Sequence, residues 1–489
     1  MSGRPLLLGI DEGTTAVKAA LFDARLRPAG PAARRIVGVR HPQAGWVEKD
    51  ALEILQAVIE TADEVLRAAD GPVVACGIDH EGESVLAWDA VSREPLTAVI
   101  VWQDRRAQVI LDELAGSADE IRARTGLPLD PYFSAGKLAW LLRHDAAVAR
   151  AREAGTLRMG TVDAFLCERL GAGFATDASS ASRTQLLALG GTSWDPWLLE
   201  RFGIPAGVLP PVGGSVGGLG ALSDPSWPGP VPLRARACDQ QAALAGAGCV
   251  TPGRVKATYG TGVFVLAHTG ASPPQSADDG LLPTVAWRIA GRDAFALDGG
   301  VFAAGAMLAW LAGSLGLAES PAALGELARE VPDARGVRLL PALAGLGAPW
   351  WEPEARAVIA GIDGGATSAH IARAAFEGIA WRVADIVERI GESTPVTTLR
   401  VDGGLTNEPL LLQLQADAAG VPVETGGADA TVLGAAALAG VGAGVLDGIE
   451  AIAPLVSSAR RVEPVRDATW RAREHDRWRA FVRGAAALR

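Results

Sequence analysis

Cysteine is scarce and scattered. Cys76, Cys167, Cys238 and Cys249 are the only four in 489 residues, and no two form a C-x-x-C pair. That excludes a disulfide framework and offers no pattern for a structural zinc site. Long apolar runs are missing as well. The two longest, 305–318 and 432–446, are rich in Ala and Gly and fall short of the roughly 20 residues that a membrane span needs. They read as helices packed closely on a sheet. The start, MSGRPLLLGIDEG, has only a short apolar run that ends at an acidic pair, which is not the pattern of a signal peptide. A cytoplasmic enzyme is the expectation. Positive charge is outweighed: 45 Lys and Arg face 56 Asp and Glu, a formal charge of -11. A polyanionic partner such as nucleic acid is disfavoured. A single nucleotide is compatible, because a metal ion and backbone dipoles handle its phosphates. A Walker loop is also lacking. Gly136-Lys137 is followed by Leu138 and has no glycine spacing upstream.

What is present reads as a large globular chain. Hydrophobic residues make up 49% and charged residues 21%, and the length favours two domains. The expected division is 1–243 and 244–489. LLLGI (6–10) is strand-like, DEGTT is a turn and AVKAALFD returns as a strand. KATYGTGVFVLAH (256–268) repeats that layout. Two such hairpins, each opening one half of the chain, predict a duplicated α/β architecture. Between them the spacing predicts a helix over 51–67 capped by Asp50, a buried strand at 73–78, and a strand pair at 86–89 and 98–102. Helices are expected at 103–115, 136–143 and 161–170, then an irregular Gly/Pro-rich connection over 209–232. Paired strands near 284–298 follow, with helices at 301–316, 368–391, 407–419 and 431–441 and a strand at 398–402.

Several turns have the ingredients for holding phosphate. In Asp11-Glu12-Gly13-Thr14-Thr15 the glycine permits close backbone approach. Thr14 and Thr15 offer hydroxyl donors, Lys18 adds positive charge, and Asp11 suits a magnesium ion held through water. Taken alone, these five residues are an ordinary acidic turn. Gly260-Thr261-Gly262 and Asp402-Gly403-Gly404 supply two more glycine turns, the latter before a helix. Asp239 and Gln240 precede the apolar run QAALAGAGCV. An aspartate there is commonly a cap, but at a domain junction it also suits a general base for an attacking hydroxyl. Glu83, Trp102, Gln103, Asp104 and Tyr132 gather at strand ends. Carboxylates and amides suit hydroxyls, and an aromatic face suits the C–H groups of a polyol.

These segments resemble a family. GIDEGTTAVKAALFD, GWVEKD, AVIVWQDRRA, TGLPLDPYFSAGKLAWLL, TDASSASRTQLL, CDQQAALAGAGCVTPGRVKATYGTG, LAGLGAPWWEPEARAVIAGI, HIARAAFEGIAWR and LRVDGGLTNEPLLLQLQADAAGVPV are similar, in order and over nearly the whole chain, to the FGGY carbohydrate kinases. The glycerol kinase branch is the nearest. The resemblance implies an α/β fold of two actin-like (ribonuclease H-like) ATPase domains with a nucleotide cleft between them. It implies ATP and Mg2+ as cofactors, a small polyol or sugar as acceptor, and a homodimer or homotetramer. Asp239 becomes the general base. Glu83, Trp102, Asp104, Tyr132, Gln240 and Phe264 are expected around the polyol. Thr14, Thr15, Lys18, Gly260, Thr261, Gly305, Gly404 and Asn407 are expected on the nucleotide, and Asp11 near the metal.

The chain departs from the glycerol kinase pattern. In Asp79-His80-Glu81-Gly82-Glu83-Ser84, Gly82 replaces an arginine that binds glycerol hydroxyls. The lost charge-assisted donor is worth roughly 1.5–3 kcal/mol. The missing side chain is expected to open space, so erythritol, threitol, xylitol, ribulose and xylulose stand beside glycerol as acceptors. Ala309 stands for a glutamine, Glu408 for an asparagine that Asn407 is placed to replace, and Ala16 for a serine. An actin-like sensor or filament protein is the reading from another class. It gives no reason for Asp239-Gln240 beside Glu83, Trp102 and Tyr132.

Overall fold

The computed structural model describes residues 4–274, 280–426 and 429–488. Two sheets organise them. The first contains β1 (Leu6–Glu12), β2 (Ala16–Asp23), β3 (Ala33–Ile36), β4 (Val73–His80) and β5 (Val231–Cys238), in the order β3-β2-β1-β4-β5, with the Ala221–Leu222 strand beyond β5. The second contains β6 (Arg254–Tyr259), β7 (Val263–Gly270), β8 (Arg292–Val301), β9 (Thr398–Asp402) and β10 (Val423–Gly426), in the order β8-β7-β6-β9-β10. Directions also repeat. The first three strands of each set pair antiparallel, and the last two join in parallel. The expected duplication is therefore one topology used twice. Leu282–Ile289 and Ser458–Val462 extend the second sheet at its two edges.

All seven residues of β1 are buried, because helices cover both faces of its sheet. Leu6, Leu8 and Ile10 pack with Ile54, Val58 and Val65 of α1 (Ala51–Arg67). Leu7 packs on the other face with Val432 and Ala436. Asp50 caps α1 as expected, accepting from the amides of Leu52 and Glu53. Three more helices matter for the site: α2 (Asp239–Gly246), α3 (Gly305–Gly313) and α4 (Ala430–Gly442). α4 belongs to the second half of the sequence, yet it lies on β1, β4 and β5 of the first sheet and against α2. The contact is backbone on backbone. A Cβ on Gly246 would stand 1.8 Å from the Ala430 carbonyl oxygen, and one on Gly434 1.8 Å from that of Ala242. The expected boundary at 243/244 falls inside α2.

The helix expected at 301–316 is observed over Gly305–Gly313, and that expected at 103–115 is shorter as well. Residues 103–107 form turns, and the helix runs from Gln108 to Glu113. The Asp104 carboxylate accepts the Arg106 amide at 2.8 Å, a local hydrogen bond that competes with helical pairing. No helix among the described residues is long and apolar enough to cross a membrane.

Candidate active site

The carboxyl ends of three adjacent parallel strands bring three aspartates together. Asp11 on β1 lies in register with Asp79 on β4. Asp79 faces Ala237 on β5, two residues before Asp239 opens α2. Burial raises all three carboxyls. Asp239 is pushed up to about 6, chiefly by burial, with the charges of Glu83 and Asp11 adding and Lys256 opposing. Burial also raises Asp11, against the pull of Lys18. It lifts Asp79 well above the usual carboxylate range, helped by Asp11 and Asp239. Among the described residues no N–H or hydroxyl group donates to Asp79, whose carboxyl meets that of Asp11. Such crowding of unsatisfied buried carboxylates fits a hydrated divalent cation above them. Among the described residues no group of three or more His, Cys, Asp or Glu is arranged to hold a metal directly.

The β1/β2 turn closes over this floor. Lys18 lies 3.3 Å from Asp11 and also pairs with Asp429, the N-cap residue of α4. Thr15 is exposed and Thr14 half-buried. The Thr14 hydroxyl accepts from the Trp102 indole N–H at 3.1 Å. Beneath the turn, Lys49 is fully buried between Glu12 (2.6 Å) and Glu81 (3.1 Å), which keep its ammonium charged.

The expected polyol residues converge. The rings of Trp102 and Tyr132 meet edge to face at 5.5 Å, and those of Trp102 and Phe264 at 6.4 Å. Phe264 comes from β7, so the aromatic wall spans both lobes. The Glu83 carboxylate accepts from Arg183 Nε at 2.6 Å. The Gln240 side-chain oxygen accepts from Lys256 at 2.8 Å. Lys137, of the Gly-Lys pair, is buried under the site and donates to the carbonyls of Glu83, Tyr132 and Phe133. Burial lowers its pKa to about 8. Asp104 stands apart from this group. Its two oxygens are taken by the Val47 amide (2.6 Å) and by Arg106, so it anchors the 46–49 segment rather than facing a ligand.

Gly82 does not open space. A Cβ there would lie 2.2 Å from Cys238 Sγ, so the buried thiol already fills that volume. The expectation of a larger acceptor pocket at this position is corrected accordingly. Arg183, Asp79, Cys238 and Lys256 escaped the sequence reading. Of these, only Arg183 lay in a segment similar to the family and still without a role, TDASSASRTQLL.

The nucleotide candidates gather on the second sheet. The Gly305 amide donates to the Gly260 carbonyl at 3.1 Å, and the amides of Ala304 and Ala306 donate to that of Thr261 at 2.9 and 3.0 Å. Gly403, at φ 95°, leaves no room for a side chain, since a Cβ would sit 2.3 Å from the Tyr259 oxygen. The two glycine turns and the start of α3 therefore adjoin, with Gly260, Thr261, Gly404 and Asn407 exposed. The Asn407 amide donates to the Gly404 carbonyl at 3.2 Å. Ala309 lies on the exposed side of α3. Glu408 caps the Pro409–Ala419 helix through the Leu410 amide and pairs with Arg329.

Comparison with known proteins agrees with this arrangement. Residues 6–246 match the N-terminal domain of the FGGY family of carbohydrate kinases, and residues 255–443 match its C-terminal domain. The chain belongs to the FGGY family of carbohydrate kinases. Over 488 residues, 98% of both chains, this FGGY kinase is 43% identical to a glycerol kinase of Geobacter sp. (strain M21). It is 45% identical over 443 residues to one of Alkalilimnicola ehrlichii, covering 88% of this chain and 89% of that one. The crystal structure of Plasmodium falciparum glycerol kinase with ADP superposes with a TM-score of 0.93 at 27% identity over 99% of each chain. The FGGY kinase thus has the two-domain actin-like fold and is an ATP-dependent kinase of a small polyol or sugar. The filament or sensor reading is set aside.

Proposed function

We propose that this FGGY kinase transfers the γ-phosphoryl group of ATP to a terminal hydroxyl of glycerol. The carrying observation is the compact alcohol site: Asp239 and Glu83 beside the Trp102–Tyr132–Phe264 wall, with Cys238 filling the volume at Gly82. With that volume already filled, position 82 offers no added room for a tetritol, pentitol or ketopentose. The glycerol kinases among its relatives support the same choice.

Asp239, with a pKa near 6, is mostly ionised at neutral pH and free to accept a proton. The alcohol oxygen bonds to the γ-phosphorus, the bond to ADP breaks, and the alcohol proton passes to Asp239. The aromatic edges hold the C–H groups, while Glu83 and Gln240 take the other hydroxyls. Asp104 supports the site from behind. Thr14, Thr15 and Lys18 meet the terminal phosphates. Gly260, Thr261, Gly305, Gly404 and Asn407 line the nucleotide. Asp11, with Asp79 behind it, would hold Mg2+, which would supply positive charge to the phosphates. In this reading residues 1–243 supply most of the alcohol site, the phosphate hairpin and the base, and residues 244–489 bind the nucleotide and add Phe264. The enzyme works in the cytoplasm as a homodimer or homotetramer, which light scattering reads directly.

The test is ADP release with ATP and magnesium against glycerol, erythritol, threitol, xylitol, ribulose and xylulose. Glycerol is expected to give the highest kcat/KM. No stimulation by glycerol above background hydrolysis overturns the proposal.

A further inference from the structure

Arg183 follows the short Ala178–Ser182 helix and is only 4% exposed. Its guanidinium is held at two points. Nε donates to Glu83 at 2.6 Å, and Nη2 lies 3.0 Å from an Asp298 oxygen. Glu83 belongs to the first lobe, and Asp298 to β8 of the second. The third nitrogen, Nη1, is buried and has no hydrogen-bond partner. A buried donor without an acceptor bears the full cost of its lost hydration, so an acceptor arriving beside it gains more than an ordinary hydrogen bond. The guanidinium borders the alcohol site. The guanidinium carbon lies 5.8 Å from the centre of the Tyr132 ring and 5.5 Å from that of Phe133. Glu83 and Tyr132 both sense the charge of Asp239 or act on it. At position 82 there is no side chain to compete, and Cys238 closes the gap.

We propose that Arg183 is the specificity-determining cation of the alcohol site, its free Nη1 donating to a hydroxyl that does not react. This rests on the reading that a polyol occupies the pocket. Because a guanidinium is a rigid planar fork, two anchors fix the direction of the third nitrogen. One anchor lies in each lobe, so the donor is aimed only while Glu83 and Asp298 both hold it. Recognition of the alcohol is thereby tied to the relative position of the lobes.

The test uses the full chain and steady-state kinetics with glycerol, propane-1,2-diol and propane-1,3-diol. Wild-type turnover of glycerol comes first, and its absence counts against the proposed function rather than against Arg183. Arg183→Met is expected to raise the glycerol KM about 10- to 100-fold, the range for a charge-assisted hydrogen bond, with the ATP KM nearly unchanged. One of the two diols lacks the contacted hydroxyl, and for it wild type and variant should be alike. A glycerol KM that does not move, or equal losses for glycerol and both diols, overturns the proposal. Should Arg183→Met fail to bind ADP and so prove misfolded, Asp298→Asn decides. It keeps the guanidinium and Glu83 but frees one anchor. A raised glycerol KM with an unchanged ATP KM supports the proposal, and an unchanged glycerol KM overturns it.

Discussion

The two hairpins that open the two halves have the same topology and opposite kinds of turn. The β1/β2 turn works through side chains. Asp11, Thr14, Thr15 and Lys18 carry its polarity, and its glycine is roomy: a Cβ on Gly13 would find its nearest neighbour at 3.4 Å. The β6/β7 turn works through bare backbone. A Cβ on Gly262 would sit 2.5 Å from the Val301 oxygen, and one on Gly305 2.5 Å from that of Gly260. Titratable groups crowd the first lobe's strand ends, while the second lobe contributes a close-fitting surface of glycine turns. A duplicated sheet keeps its register, because slipping by one residue would turn every core side chain outward. Its turns are free to diverge, and here one copy took the charge and the other the shape.

The strongest test of that division removes the first lobe's chemistry alone. Asp239→Asn should lower kcat by about 10²- to 10⁴-fold, while ADP affinity by calorimetry stays close to wild type. A near-normal kcat would place the base elsewhere. Acid should act in the same direction with a smaller effect. As the proposed base, Asp239 would act in its ionised form, and its pKa is raised to about 6. Activity should therefore hold above that pH and fall about tenfold per unit below it. A kcat/KM that stays flat to pH 5 breaks the assignment.

Smaller effects should separate the glycines. Gly262→Ala forces backbone apart and is expected to cost roughly 1–3 kcal/mol in urea unfolding, as overpacking does. Gly13→Ala meets only ordinary contacts and should stay within about 0.5 kcal/mol of wild type. Equal responses would erase the contrast between the turns. The smallest effect sharpens the picture of the alcohol pocket. Gly82→Ala should destabilise through its clash with Cys238, and Cys238→Ala should relieve it, with a coupling of at least about 0.5 kcal/mol. Additive effects would mean that the thiol does not fill the space.

Local features were legible in the sequence. Both hairpins, the α1 cap and Asp239 at a helix start follow from neighbouring residues, whose periodicity and turn chemistry are self-contained. What escaped depends on pairings between distant segments. Glu83 and Arg183 are 100 residues apart, and nothing near either one announces the other. Gly82 looked like a vacancy because the atom that fills it belongs to Cys238. Asp104 looked like a ligand because a strand-end carboxylate advertises charge but not its partners, here Val47 and Arg106. Asp79 stood in plain sight in GIDHEGES. Its importance appears only when β1, β4 and β5 lie side by side and set it between Asp11 and Asp239.

The crossing of α2 and α4 has a mechanical consequence. Two helices seated backbone on backbone have no layer of side chains between them at the crossing, so little there can give way when their spacing changes. Asp239 opens the first turn of α2. A bulky residue at Gly246 or Gly434 would force the two helices apart and displace that first turn with them.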